Sequence, residues 1–276
     1  MNKFGSKTRV AAAVVALAAS AGAQASVMTS GVIANAPCQT YLESPLGSNA
    51  LVVGGCTASE VTQALTDKGN VELGKFGSNP ATTLTGTLDG KQIVLSGLVA
   101  SDWTVAFTQK YITDAFTSVG QTLTGGPGGQ LDTLTKLMRD PTALGLPANS
   151  AGYRQVSDPN VSKVEKVGSQ YFVDLDGFYN AAAYLNGLVA AVNAFVDPDL
   201  TSAGRFTQVS EVVKVKVGDG DWQYLYGFVA DQTGYSTQDG SYSGVYRLAI
   251  NVPEPESLAL LGIGLLGLFV GRRRRV

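Results

Sequence analysis

The feature that most constrains this chain is an uninterrupted apolar run at residues 258–270, near the C-terminal end. The run contains no charged residue and no proline, so its backbone can leave water at low cost once it closes into a helix. At about 1.5 Å per residue, a helix over residues 257–271 is roughly 22 Å long, which is shorter than the hydrocarbon core of roughly 30 Å. Length alone therefore makes this segment a marginal membrane span.

Basic residues after the run favour the membrane. Long arginine side chains reach the headgroups and extend the effective span, and their charge keeps this end on the cytoplasmic side. Four of them follow Gly271: Arg272, Arg273, Arg274 and Arg275. We therefore expect a C-terminal transmembrane helix. A helix buried in a soluble core is the alternative.

Two prolines precede the run. Pro253 and Pro255 flank Glu254, and because proline neither continues a sheet nor fits inside a helix, they hold the peptide extended. The motif, the short Leu/Gly helix and the arginine cluster, in that order, resemble the PEP-CTERM sorting signal of Gram-negative bacteria. The resemblance covers only about the last twenty-five residues.

The resemblance implies a partner and a destination. An exosortase-type membrane transpeptidase is expected to recognise the tail and cut near residues 253–255. The body would first be anchored in the inner membrane by the C-terminal helix. Processing would then release it, or anchor it again, at the cell surface or in the extracellular matrix of a Gram-negative bacterium.

The N-terminal segment is typical of a secretory signal peptide. Three basic residues precede an apolar stretch at residues 10–19, and Ala23 and Ala25 form a small-x-small cleavage site. Cleavage after Ala25 by signal peptidase, following export by the Sec machinery, would leave Ser26 as the new N-terminus. A retained N-terminal anchor is the alternative.

These two ends divide the chain into three parts. We predict a signal peptide at residues 1–25, an exported globular domain at 26–251 and a sorting signal at 252–276. The middle part is long enough for one domain with a sizeable core, or for two small ones, and we choose one. It carries 13 basic and 20 acidic residues. A nucleic-acid ligand is not expected, because phosphate binding needs a basic surface.

The two cysteines, Cys38 and Cys56, lie in the exported part. In an oxidising compartment an isolated pair most simply forms a disulfide, which contributes about 3 kcal/mol for a loop of this size in the chain-entropy model. Metal binding is the weaker alternative, because two thiolates without any histidine make an incomplete site.

Helical patterns occur at four places in the body. Thr57 and Glu60 form a capping box before a short helix that Gly69 is expected to end. Residues 103–119 and 131–138 carry apolar side chains at helical spacing, separated by a Gly-rich loop, and Pro141 ends the second of these helices. Residues 181–196 are apolar nearly all round, which predicts a buried helix. Residues 141–160 are typical of a loop.

Strand patterns account for most of the remainder. Residues 82–88 and 91–98 flank Asp89-Gly90, a strong hairpin signal, and residues 163–167 and 170–175 form a second hairpin. Residues 213–217 alternate valine and lysine, and residues 222–230 return after a turn. A turn at 239–240 and a last strand at 245–251 follow. Together these patterns predict an α+β, antiparallel β-rich single domain with several short helices.

Catalytic motifs are absent from the sequence. The chain has no histidine, which excludes a Ser-His-Asp triad, a Cys-His pair and the usual zinc and iron ligand sets. Two short motifs offer carboxylate oxygens to Ca²⁺, Asp174-x-Asp176-Gly177 and Asp219-x-Asp221. A local role in turns is the interpretation we prefer for both, so no metal, cofactor or catalytic residue is predicted.

An aromatic row is the remaining candidate site. Trp222, Tyr224 and Tyr226 share one face of a predicted strand, where they stack on sugars if exposed and form core if buried. Our leading hypothesis is a non-enzymatic structural or adhesive protein of the surface or the exopolysaccharide matrix, as found in biofilms. A carbohydrate-binding module using exposed aromatics is the alternative, and a secreted hydrolase with paired carboxylates is the third.

Overall fold

The computed structural model describes residues 25–35, 37–43, 51–67, 69–74, 80–118, 120, 122–156, 158–178, 211–236 and 242–252. Within these ranges the chain forms thirteen β-strands and three α-helices. The strands are β1 (Ser26–Val27), β2 (Gly31–Ala34), β3 (Gln39–Glu43), β4 (Leu51–Gly54), β5 (Gly69–Glu72), β6 (Thr83–Leu88), β7 (Lys91–Ser96), β8 (Asn160–Val167), β9 (Gln170–Phe178), β10 (Val212–Val217), β11 (Gln223–Tyr226), β12 (Asp231–Ser236) and β13 (Tyr242–Ile250). The helices are α1 (Ala58–Thr66), α2 (Val105–Ser118) and α3 (Gln130–Arg139).

Two antiparallel sheets make up the body. The larger sheet has the order β12-β13-β9-β8-β5-β3-β4, with β1 pairing on β8, and the smaller has the order β11-β10-β7-β6-β2. Valine, leucine and isoleucine at alternate positions of both sheets are buried in one shared cluster, as the period of two in a strand requires. The predicted α+β class with antiparallel, β-rich architecture is confirmed.

Both predicted hairpins are present. β6 and β7 pair around Asp89 and Gly90, which have φ values of 53° and 73°, the left-handed pair that a two-residue hairpin turn needs. β8 and β9 pair around Gly168, and Tyr171, Val173 and Leu175 face the core as expected. Lys166 on β8 donates to the Asp89 carboxylate and so links the β6–β7 hairpin turn to the larger sheet.

The strand predicted at residues 222–230 is only partly correct. β11 ends at Tyr226, and the chain then crosses from the smaller sheet to the larger, where β12 pairs with β13. Gly227 lies at this crossing, and a Cβ there would be 3.1 Å from Leu248 Cδ2. The backbone passes too close to β13 to carry a larger residue without adjustment.

The helices agree with the sequence apart from their ends. Thr57 and Glu60 form the predicted capping box of α1, but the prediction that Gly69 ends this helix is wrong. The C-cap is Asp67, and Gly69 starts β5, where a Cβ would lie 2.3 Å from the Tyr41 carbonyl oxygen. This glycine therefore serves close strand pairing rather than a helix end.

The predicted loop at residues 141–160 is more ordered than expected. Three short 3₁₀ turns occupy Pro141–Leu144, Ala148–Ser150 and Gly152–Gln155. The third turn buries Tyr153 against Trp103. Proline and glycine in this stretch mark turns that pack on the body.

Several predictions lie outside the described residues. These are most of the signal peptide at 1–25, the buried helix at 181–196, the turn at 239–240 and the tail from 253 to 276 with its transmembrane helix. Among the helices that the structure does describe, each is too short or too polar to span a bilayer.

Candidate functional site

The junction between the body and the C-terminal tail is fixed by side-chain amides. Asn251 N donates to Gln223 Oε1 at 2.8 Å, and Gln223 Nε2 donates back to the Asn251 carbonyl at 2.5 Å. One residue earlier, the Ile250 carbonyl accepts from Gln170 Nε2 at 2.8 Å. Residues of β9 and β11 thus hold the backbone at the end of β13, two to three residues before Pro253.

The predicted sorting and membrane residues follow that junction. Pro253, Glu254 and Pro255 lie outside the described residues, as do the four arginines at 272–275 and Ala23 at the signal cleavage site. Ala25 and Ser26 are described and exposed, and Ser26 begins β1 opposite Lys166. Cleavage after Ala25 stays a prediction.

The predicted disulfide is present. Cys38 and Cys56 are bonded, with their Cα atoms 6.0 Å apart and a sequence separation of 18. Cys56 immediately precedes Thr57, the N-cap of α1, and Cys38 precedes β3. The bond therefore fixes the start of α1 to the larger sheet.

The aromatic row does not form an exposed face. Tyr224 and Tyr226 pack on Phe107 of α2, with ring centroids 4.7 and 5.9 Å away. Tyr224 Oη donates to Asp102 Oδ1 at 3.0 Å, and Tyr226 Oη donates to Asp114 Oδ2 at 2.7 Å. These two rings dock α2 and the turn before it onto β11, so they form part of a second core.

The electrostatics of this cluster follow from burial. Burial and the nearby Asp102 carboxylate raise the pKa of Tyr224 to about 12. Burial and the hydrogen bond to Asp114 raise the pKa of Tyr226 further above its usual value. Burial opposes ionisation of Asp114 itself, but hydrogen bonds from Lys110 and Tyr226 hold its pKa below the usual range. The phenols are therefore neutral at physiological pH and act as donors.

Trp222 differs from the other two rings. Its side chain is 41% exposed, and the ammonium of Lys214 lies 5.1 Å from its ring centroid. Lys214 also forms an ion pair of 3.0 Å with Asp102. Trp222 immediately precedes β11, and its ring is the most exposed of the three aromatic side chains in the row.

Of the four carboxylates considered for Ca²⁺, two bind other side chains and two lie in or beside an exposed turn. Asp174 binds Arg247 at 3.2 Å, and Asp176 accepts from Asn70 Nδ2 at 3.2 Å. Asp219 and Asp221 lie in or beside an exposed turn between β10 and β11. In the part of the chain described, no three Asp, Glu, Cys or His side chains are grouped to hold a metal.

A charged cluster on the larger sheet was not anticipated from the sequence. Arg247 on β13 binds both Glu165 on β8 and Asp174 on β9, and Lys163 lies 2.5 Å from Glu165. Glu165 is 4% exposed and Asp174 is 8% exposed. The signal for this cluster is the alternation of charged with apolar residues in all three strands, but only the pairing of β9 with β13 brings the charges together.

The two acids of this cluster have opposite pKa shifts. Burial would raise the pKa of Glu165, but hydrogen bonds from Lys163 and Arg247 bring it below the usual value. Burial raises the pKa of Asp174 despite the neighbouring guanidinium. Cation and carboxylate charges are thus largely matched within the sheet, as buried charges must be.

Comparisons with known proteins bear on the tail alone. A family model described as the PEP-CTERM protein-sorting motif matches residues 251–275. No curated protein and no solved structure matches the chain. The match begins at Asn251, the residue held by Gln223 and the first residue after β13. The C-terminal tail therefore carries a PEP-CTERM sorting motif, which marks an exported protein for processing by an exosortase.

Proposed function

We propose that the protein is a non-enzymatic structural or adhesive component of the cell surface or of the exopolysaccharide matrix, delivered by its sorting tail. The observation that carries this proposal is the sorting motif at residues 251–275, which begins directly after β13 in a folded, disulfide-linked body. A body that contains a disulfide suits an oxidising location outside the inner membrane.

The body supports a structural role through the way it uses its polar groups. Tyr224 and Tyr226 are bonded to Asp102 and Asp114. Asp174 shares Arg247 with Glu165. These aromatic and acidic side chains are thus engaged in holding strands and helices together.

The test of sorting compares the full chain with a motif variant in a bacterium that possesses an exosortase. The wild-type body should be recovered from the surface or matrix fraction without the tail. The triple substitution Pro253→Ala, Glu254→Ala and Pro255→Ala should leave an uncut chain in the membrane fraction. Asp219→Asn with Asp221→Asn, in an exposed turn of the body, is the matched control and should behave as wild type.

The test of the structural role examines the matrix itself. Cells that lack the protein should make a matrix that disperses more readily, and the wild-type chain should restore it. A processed body found only in the medium, with an unchanged matrix, would contradict the structural role while leaving the sorting result intact.

A carbohydrate-binding module is the second candidate, because Trp222 is exposed. Purified protein should then bind extracted exopolysaccharide, and Trp222→Ala should remove the binding. Tyr224→Ala serves as a comparison, since Tyr224 lies in the second core rather than at the surface.

A further inference from the structure

We propose that the outward face of the smaller sheet binds an acidic polysaccharide, with Trp222 stacking on a sugar ring and Lys216 pairing with a uronate carboxylate. The inference rests on the carbohydrate-binding candidate of the proposed function. It extends that candidate from one exposed ring to a surface that crosses the sheet, and it names the class of sugar.

The first observation is a cross-strand row of side chains on one face of the smaller sheet. The cross-strand row consists of Val32, Thr85, Val94, Lys216 and Trp222. Its first four members are directly paired in the register of β2, β6, β7 and β10, and the pairing of Val215 with Gln223 continues that register to Trp222. With neighbouring strands about 4.8 Å apart, the row is roughly 19 Å long.

The cross-strand row faces away from the core between the sheets. Leu84 and Ile93, which precede two of its members along β6 and β7, are buried in that core, and successive side chains of a strand point to opposite faces. The ammonium of Lys214, two residues before Lys216, lies 5.1 Å from the Trp222 ring centroid. The indole therefore lies on the same outward face as both lysines.

This part of the sheet is open to solvent. Val32 is 69% exposed and Trp222 is 41% exposed, and Thr87 and Gln92, which pair beside the cross-strand row, are exposed as well. On the other side of the row Ser96 is buried. The surface is thus an open strip bounded on one side, with an aromatic ring at one end on which a sugar ring can stack.

The charges of the smaller sheet differ from those of the body as a whole. Residues 26–251 carry 20 acidic and 13 basic residues, but the five strands of this sheet contain three lysines and no Asp or Glu. Lys214 is bound by Asp102, whereas Lys216 has no ion pair among the described residues. An anionic chain complements this face, and a second copy of the face, with lysine opposite lysine, does not.

Two carboxylates lie near the Trp222 end of the strip. Asp219 and Asp221 are in or beside the turn that follows β10. They oppose an anionic ligand at this end, so removing their charge should strengthen binding. The sign of that change distinguishes an acidic polysaccharide from a neutral one.

The experiment compares two forms of one polymer, polygalacturonate and its methyl ester, which has the same sugar backbone without the charge. The full chain in mild detergent is titrated with each polymer and followed by calorimetry. At low ionic strength we expect at least about tenfold tighter binding of polygalacturonate, and added salt should reduce the difference. This comparison uses the wild-type protein, so it does not depend on the folding of a variant.

Substitutions then assign the binding to the cross-strand row. Trp222→Ala should weaken binding of polygalacturonate at least about fivefold, and Lys216→Gln should weaken it about threefold and lower its salt dependence. Lys136→Gln is the matched control, because it removes the same charge from α3, and it should bind as wild type does. Asp219→Asn with Asp221→Asn should bind more tightly. Near-ultraviolet circular dichroism shows that each variant is folded.

The outcomes separate this inference from the proposed function. Equal binding of the two polymers overturns the acidic class, and binding of neither overturns the site. Wild-type affinity in both Trp222→Ala and Lys216→Gln overturns the row. A dimer in solution that Val32→Lys dissociates assigns the face to a second copy and overturns the polysaccharide contact. The matrix dispersal test assumes nothing about this face, so each of these failures leaves its result intact.

Discussion

The two cores of the body differ in chemistry. The core between the sheets is mainly aliphatic, built from valine, leucine and isoleucine of both sheets. The second core joins α2, α3 and the Gly152–Gln155 turn to β11, and it is rich in aromatic rings, two of which donate through their hydroxyls to carboxylates. The first core depends on apolar area alone, whereas the second also depends on ring geometry and on hydrogen bonds.

The largest expected effect is at the centre of the aromatic core. Trp103 contacts Phe107, Tyr111 and Tyr153 at centroid distances of 5.0, 5.3 and 6.3 Å. We expect Trp103→Leu to lower the free energy of unfolding by about 3 kcal/mol, because a branched aliphatic side chain fills less volume and loses the ring contacts. Urea unfolding at neutral pH measures the change.

The matched control for that variant lies in the aliphatic core. Leu95→Met, at a fully buried position of β7, should cost less than about 1.5 kcal/mol, because the volume is conserved and no polar group is involved. Equal losses for the two variants would mean that the volume and ring contacts of Trp103 add nothing measurable to stability.

The disulfide lies beside the aliphatic core, against which Cys38 and Cys56 pack. Replacing both by serine should lower the free energy of unfolding by about 3 kcal/mol in the chain-entropy model. The near-ultraviolet circular dichroism of the aromatic core should stay unchanged at 25 °C. A loss of that signal in the folded variant would show that the bond also supports the second core.

The tyrosine hydroxyls should have a smaller effect. Tyr226→Phe removes the donor to Asp114, and we expect a loss of about 1 kcal/mol in the free energy of unfolding. Lys110→Ala removes the exposed ion pair to the same carboxylate and should cost less than about 0.5 kcal/mol. A larger loss for Lys110→Ala than for Tyr226→Phe would show that the ion pair, and not the phenol hydrogen bond, is the main stabilising contact of Asp114.

The smallest effect is the response to alkaline pH. The pKa of Tyr224 is raised from 10.0 to about 12 in the folded protein, so its contribution to stability is fully present below the unfolded pKa near 10. This contribution is lost as the pH rises from 10 through 12. Tyr224→Phe also removes the hydrogen bond to Asp102 at every pH, so the diagnostic quantity is the slope: between pH 10 and 12 the free energy of unfolding of this variant should fall less steeply than that of the wild type, as measured by urea unfolding at each pH. An equal slope for the two proteins would contradict the assignment.

The parts of the fold that could be predicted are those that depend on local sequence patterns. The hairpin at Asp89-Gly90 and the alternation in 170–175 are local patterns, so the sequence alone predicts them correctly. The capping box at Thr57 is local as well. The buried positions of the aliphatic core follow from strand alternation, because one face of each strand must face inward.

The remainder depends on contacts that are distant in the sequence. The end of β11 at Tyr226 follows from the crossing to β13, which no local signal marks. Gly69 is typical of a helix end by its position, yet close approach to Tyr41 on β3 decides its role. The cluster of Glu165, Asp174 and Arg247 forms only because β13 pairs with β9.

The candidate site shows the same division. The sorting motif is continuous in the sequence, and the family match at residues 251–275 confirms its identity. The hydrogen bonds that hold Asn251 join residues distant in the sequence, since Gln223 lies 28 residues away and becomes a partner only when β11 and β13 meet. Neither glutamine carries a recognisable motif.

Mass spectrometry of the mature protein from cells shows whether the tail is cut off a body that folds separately from it. We expect a chain that begins at Ser26, contains the bond between Cys38 and Cys56, and ends near residues 253–255. A surface-located protein that still carries the apolar run at 258–270 and the arginines at 272–275 would contradict it.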